Sequence, residues 1–109
     1  MIINETELIA TIRSIPDFPK EGILFRDITT LLKNADAYET LVESIAEKLR
    51  PLDVDIVIGP EARGFVIGSA VAYAVHAGFV LARKPGKLPC EVNSVSYGLE
   101  YGSDCLEIH

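Results

Sequence analysis

Glu61-Ala62-Arg63-Gly64-Phe65 stands between a strand-like run, Val54 to Gly59, and a small-residue helical pattern from Gly64 to Ala77. A strand that stops at Gly59-Pro60 and turns into a helix places the turn at the carboxyl end of a sheet. In open α/β folds that edge is where ligands bind. The first N–H groups of a helix have no intrahelical partner and suit an anion, and Gly64 lets backbone come close to one. Arg63 adds a fixed charge whose fork matches phosphate. The turn reads as an anion site.

The helix is followed by Phe79-Val80-Leu81-Ala82, short enough for a buried strand. Strand, helix, strand with short links predicts a right-handed βαβ unit and an α/β fold class. The spacing further predicts a helix over Thr6 to Ile15, ended by Pro16-Asp17-Phe18-Pro19. A second helix runs from a cap at Asp36 to Arg50, closed by Pro51. His76-Ala77-Gly78 reads as a helix end, with Gly78 suited to the left-handed position. Lys84 to Val92 reads as an exposed, mobile loop, and Ser94–Leu99 with Asp104–Ile108 as a hairpin turning near Tyr101-Gly102-Ser103.

The chain has 109 residues and a net charge of -6, so one domain covering residues 1–109 is expected, without a general nucleic-acid face. Against that acidic background the basic cluster Arg83, Lys84, Lys87 stands out. Cys90 and Cys105 have no metal-ligand spacing and build no disulfide framework, which suits free thiols in the cytoplasm. The N-terminus lacks a basic start before an apolar run, so no signal peptide is read there. Phe65 to Ala82 carries no formal charge and reaches the lower length of a membrane span. Its Gly68, Ser69, His76 and Gly78 favour a buried helix followed by a buried parallel strand, and no membrane partner is expected.

Each candidate residue has a plain alternative. Arg63 as a bare surface cation would face the positive end of the helix dipole, so an anion between them is the better account. Glu61 is either a ligand-loop carboxylate or an acid that suits the same dipole. Arg83-Lys84-Pro85-Gly86-Lys87 is either a solvated loop or a set of cations converging on a polyanion such as pyrophosphate. Phe25 is either core or a ligand contact, and Arg26 with Asp27 is either a local ion pair or part of a site. Glu100-Tyr101 at the hairpin tip would ordinarily be a solvated turn.

Four segments together resemble the adenine phosphoribosyltransferase family: Gly22-Ile23-Leu24-Phe25-Arg26-Asp27-Ile28-Thr29, Glu61-Ala62-Arg63-Gly64-Phe65, Arg83-Lys84-Pro85-Gly86-Lys87-Leu88-Pro89, and Tyr97-Gly98-Leu99-Glu100-Tyr101-Gly102. The resemblance covers nearly the whole chain, in order and spacing. It implies a partial type I phosphoribosyltransferase-like parallel sheet with flanking helices and an antiparallel hairpin hood. It implies transfer of a phosphoribosyl group from phosphoribosyl pyrophosphate to N9 of adenine, giving AMP and pyrophosphate. Mg²⁺ would be bound with the donor, and a cytoplasmic homodimer is implied. By the same resemblance Phe25 stacks on adenine while Leu24 and Arg26 read its edge through backbone groups. Ala62 and Arg63 hold pyrophosphate, and Arg83 reaches it, in this family often across a dimer interface. Lys84 joins that basic set; Lys87, Glu100 and Tyr101 lie on the mobile hood, with Glu100 near the reacting centre as the catalytic residue.

One family segment is missing from the pattern. Such enzymes carry a further strand ending in two acidic residues, then a Gly- and Thr-rich loop for the ribose 5′-phosphate, and the chain reaches His109 without it. The expectation is therefore a C-terminally truncated domain, inactive by itself. The competing readings are a non-catalytic remnant that binds purine or another subunit, and an interaction domain that has only kept the fold.

Overall fold

The computed structural model describes residues 2–89, 92–99 and 102–109, and the chain divides into two compact units, Met1–Ile45 and Ala46–His109.

In the first unit, helix α1 (Glu5–Ala10) is closed at its start by Asn4. The Asn4 side chain accepts the Glu7 N–H at 2.8 Å, and the Glu7 carboxylate reaches back to the Asn4 N–H. The predicted continuation to Ile15 does not form. The chain leaves the helix at Thr11, and Arg13–Pro16 is strand β1, paired antiparallel with β2 (Leu24–Asp27) in the register Arg13↔Asp27 to Pro16↔Leu24. Tertiary partners outweigh the helical spacing here. The Thr11 carbonyl accepts the Thr30 hydroxyl, and Arg13 pairs with the Asp27 carboxylate. Both contacts would be lost if the helix continued. A short helix α2 (Thr29–Leu32) and the long α3 (Ala35–Leu49) follow. The α3 cap is Asn34, whose Oδ1 accepts the Ala37 N–H at 3.1 Å, rather than the expected Asp36. Asp36 lies inside the first turn, where its charge still suits the dipole. Leu31, Ala37 and Thr40 are buried in this unit, together with the carboxylate-bearing Asp27.

In the second unit, Pro51 opens a single 3₁₀ turn, Arg50–Leu52. Strand β3 (Ile56–Pro60), helix α4 (Arg63–Val75) and strand β4 (Gly78–Ala82) then form the predicted βαβ unit, with β3 and β4 parallel from Ile56↔Gly78 to Pro60↔Ala82. The α4 end departs from expectation. His76, not Gly78, adopts the left-handed conformation (φ 60°), and Ala77 donates its N–H to the Ala72 carbonyl at 2.8 Å. Gly78 is needed as the first extended residue of β4, where its N–H meets the Asp55 carbonyl at 2.9 Å. The α4 helix packs closely on the strands because Gly59 and Gly68 leave space for the Phe79 ring; a Cβ on either glycine would lie within 2.7 Å of that ring.

The hairpin is present as β5 (Asn93–Leu99) and β6 (Gly102–Ile108), antiparallel. It does not stand apart from the parallel pair. Arg83, the residue after β4, exchanges both backbone hydrogen bonds with Glu107 of β6, at 2.9 and 2.7 Å. Among the described residues, no helix is long and apolar enough to cross a membrane.

Candidate anion-binding site

Because β3 and β4 are parallel, their carboxyl ends lie side by side, and the Glu61 N–H donates to the Ala82 carbonyl at 2.9 Å. The turn 61–63 and the segment 83–87 therefore start from adjacent points. Ala62 occupies the cap position of α4 without a side-chain cap, across a cis Glu61–Ala62 peptide bond, and Arg63 is the first helical residue, exposed. The structure thus places Ala62, Arg63, Arg83 and Lys84 at one sheet edge, as the sequence predicts.

Glu61 proves to be the organising group. Its Oε1 accepts the Lys84 backbone N–H at 2.7 Å and lies 3.4 Å from Arg83 Nε. The Lys84 N–H, followed by the charges of Arg83 and Lys87, holds the Glu61 carboxyl below the usual carboxylate range despite its partial burial. The Arg83 guanidinium carbon lies 5.8 Å from the Phe65 ring centroid. Further along, Gly86 (φ 81°) donates its N–H to Glu107 Oε1 at 3.0 Å, and His109 Nε2 lies 2.6 Å from the Pro89 carbonyl. The basic segment read as a loose loop is exposed, yet tied down at Arg83, Lys84 and Gly86.

The other candidates belong to the first unit. Leu24 is exposed, and Phe25 meets Phe18 edge-on, with centroids 5.1 Å apart and planes at 78°. The Arg26 guanidinium donates to Ser14 Oγ at 2.6 Å. Of the two readings left open for Arg26 and Asp27, the local ion pair gives way to a different pairing. Side chains alternate along a strand, so Asp27 projects opposite to Arg26 and pairs with Arg13. Asp27 Oδ1 also accepts the Thr29 N–H at 2.9 Å and the Thr29 hydroxyl at 2.7 Å. The Thr29 N–H first, with Arg13 and the Thr29 hydroxyl, lowers the Asp27 pKa from 3.8 to about 2. Arg26 lines a cleft of about 550 Å³ with Ile9, Ile12, Ser14 and Ile28.

Glu100 and Tyr101 lie outside the described residues. Among the described residues, no group of three His, Cys, Asp or Glu side chains converges to hold a metal ion. Sequence reasoning missed Phe65 and Glu107 as partners of the basic segment. Phe65 lay inside the motif already singled out, whereas nothing local marks Glu107. Asp27 carried a signal, since an Asp two residues before Thr29 is a turn-capping pattern.

No protein-family model matches the chain. It is 60% identical over 98 residues to the adenine phosphoribosyltransferase of Alkaliphilus metalliredigens, covering 90% of this chain and 58% of that protein. The crystal structure of adenine phosphoribosyltransferase from Thermoanaerobacter pseudethanolicus superposes with a TM-score of 0.88 at 52% identity, over 95% of this chain and 60% of that one. The Saccharomyces cerevisiae adenine phosphoribosyltransferase, solved in complex with an imino-altritol bisphosphate and adenine, superposes with a TM-score of 0.85 at 38% identity, over 94% of this chain and 61% of that one. The chain thus spans about three-fifths of the length of these relatives.

Proposed function

We propose that this chain, which belongs to the adenine phosphoribosyltransferase family over the span it shares with its relatives, supplies the adenine-, pyrophosphate- and hood-bearing portion of an enzyme of purine salvage. The reaction breaks the bond between ribose C1 and the pyrophosphate oxygen of phosphoribosyl pyrophosphate and forms the bond from C1 to adenine N9. Pyrophosphate leaves, the N9 proton is lost, and AMP remains.

One observation carries this reading: Arg63, Arg83 and Lys84 share the carboxyl edge of the parallel pair, with Arg83 and Lys84 held there by Glu61. Negative charge builds on the departing pyrophosphate as the C1 bond lengthens, so cations fixed beforehand lower the barrier without reorganising during the step. Ala62 offers backbone at the same turn, and Lys87 adds charge from the end of the segment. In the first unit Leu24, Phe25 and Arg26 are assigned to adenine, in keeping with the adenine complex of the yeast relative. Glu100 is assigned to the reacting centre and Tyr101 to the hood by family resemblance. Mg²⁺ enters as the ion carried by the donor's own diphosphate, on the family resemblance. A homodimer in the cytoplasm belongs to the same proposal, on the same resemblance.

The test uses two proteins. The 109 residues alone, mixed with adenine, phosphoribosyl pyrophosphate and Mg²⁺, are expected to form no AMP. A chimera in which they replace the matching stretch of the Alkaliphilus relative is expected to form AMP. A folded but inactive chimera would overturn the assignment of activity. AMP formed by the 109 residues alone would overturn the view that this portion is insufficient.

A further inference from the structure

We infer that Glu61, in the turn before α4, and Phe65, in the first turn of α4, are positioning residues that hold the Arg83 guanidinium ready for an incoming diphosphate. The inference rests on the proposed function for the ligand, but not for the geometry.

Three observations carry it. Glu61 meets Arg83 most closely through Nε rather than through the terminal fork, so the edge best shaped for two phosphate oxygens is not the one it engages. The guanidinium carbon lies over the Phe65 ring, 5.8 Å from its centroid, a second contact beside that of Glu61. The same Glu61 oxygen takes the Lys84 N–H at 2.7 Å, so side chain and following backbone are set by one atom. Arg83 is also pinned through its own backbone by Glu107. Arg83 Nε is buried and, among the described residues, has no hydrogen-bond partner; its 3.4 Å approach to Glu61 is an ion-pair contact that can still shorten. Functional-site contacts are often long before a ligand arrives and tighten with it. A diphosphate taking the outer edge of Arg83 would meet a guanidinium whose Nε side already faces Glu61. Glu61 would then support the anion's partner, although it carries the anion's own sign.

The geometry is read directly by NMR of the Arg83 Nε–H group in the 109-residue chain. The wild type is expected to show an ordered Nε–H; Glu61→Gln, which keeps an acceptor for Lys84 but no charge, is expected to release it. Phe65→Leu should release it in part, which guards against a local failure to fold in the first variant. The consequence is read by titrating inorganic pyrophosphate. Glu61→Gln should weaken binding roughly five- to tenfold, the scale of a coupled charge pair, yet change nothing further once Arg83→Ala is present. An Arg83 Nε–H unchanged in both variants overturns the inference, as does an equal loss from Glu61→Gln with and without Arg83. An Arg83 Nε–H that is ordered in the wild type and released by both variants, in a chain that takes up no pyrophosphate, would uphold the positioning and instead defeat the proposed function.

Discussion

Two charged residues show how differently a single side chain can act in this chain. Arg63 begins α4, at the helix end that favours negative charge, and its fork is of the shape that holds phosphate. In an active chimera, Arg63→Ala is expected to weaken use of phosphoribosyl pyrophosphate more than use of adenine. A loss of about 1.5–3 kcal/mol fits one charge-assisted contact to phosphate. Equal changes in the apparent constants of both substrates would show Arg63 to be structural. Asp27 acts on the fold instead. Its pKa is lowered to about 2, so its stabilisation is complete above the ordinary 3.8 and is lost as pH falls from there towards 2. Denaturant melts between pH 2 and 6 should therefore fall more steeply for the wild type than for Asp27→Asn. Parallel curves would remove Asp27 from the acid-sensitive groups.

Helix α4 carries its constraints at the C-terminus and along the face that packs on the strands. His76 closes it in a left-handed conformation that costs a non-glycine residue roughly 1 kcal/mol. His76→Gly is expected to stabilise the chain by up to about 1 kcal/mol in denaturant melts, and His76→Val to destabilise it. The Phe79 ring sits between Gly59 of β3 and Gly68 of α4. Alanine at Gly68 gains about 1 kcal/mol of helix propensity against the clash with the ring edge. Alanine at Gly59 has no such gain and also meets the Gly64 backbone carbonyl, which cannot swing aside. Gly59→Ala should thus cost about 1–3 kcal/mol and exceed the cost of Gly68→Ala. Phe79→Leu should relieve the Gly68 variant more completely than the Gly59 one, and the reverse order would show that the ring is not the obstacle.

Across both units, the buried apolar side chains among the described residues are small. Leu31 and Val71 are the ones larger than alanine, alongside Ala37, Ala46, Ala72 and Ala82. Meanwhile Ile56, Ile58 and Val95 are each more than half exposed, and Ile58 and Val95 border an apolar cleft of about 310 Å³ with Leu106 and Ile108. Thin burial beside exposed branched residues predicts low stability and self-association. The 109-residue chain should sediment at a mass that rises with concentration, and Ile58→Lys should reduce that rise. A monodisperse monomer with a sharp, concentration-independent denaturant transition would contradict this expectation.

The sequence by itself determined the βαβ unit, the α4 span within two residues, the hairpin and the basic edge, because each depends on local patterns. Apolar runs, a Gly-Pro stop and small-residue periodicity are written in neighbouring positions. It also determined that Arg63, Arg83 and Lys84 would share one edge, since parallel strands place their carboxyl ends together. Tertiary structure alone decided the rest. Ile12 and Ile15 have helical spacing, yet Arg13–Pro16 is a strand because Leu24–Asp27 lies beside it with Asp27 available for Arg13. Glu61 could be read as a dipole acid or a ligand-loop acid, and only folding brought the Lys84 N–H to its carboxylate from 23 residues away. Glu107 has no local mark at all; it matters because β6 returns to the end of β4. Periodicity is a property of neighbours along the chain, whereas an ion pair or a backbone clasp belongs to neighbours in space.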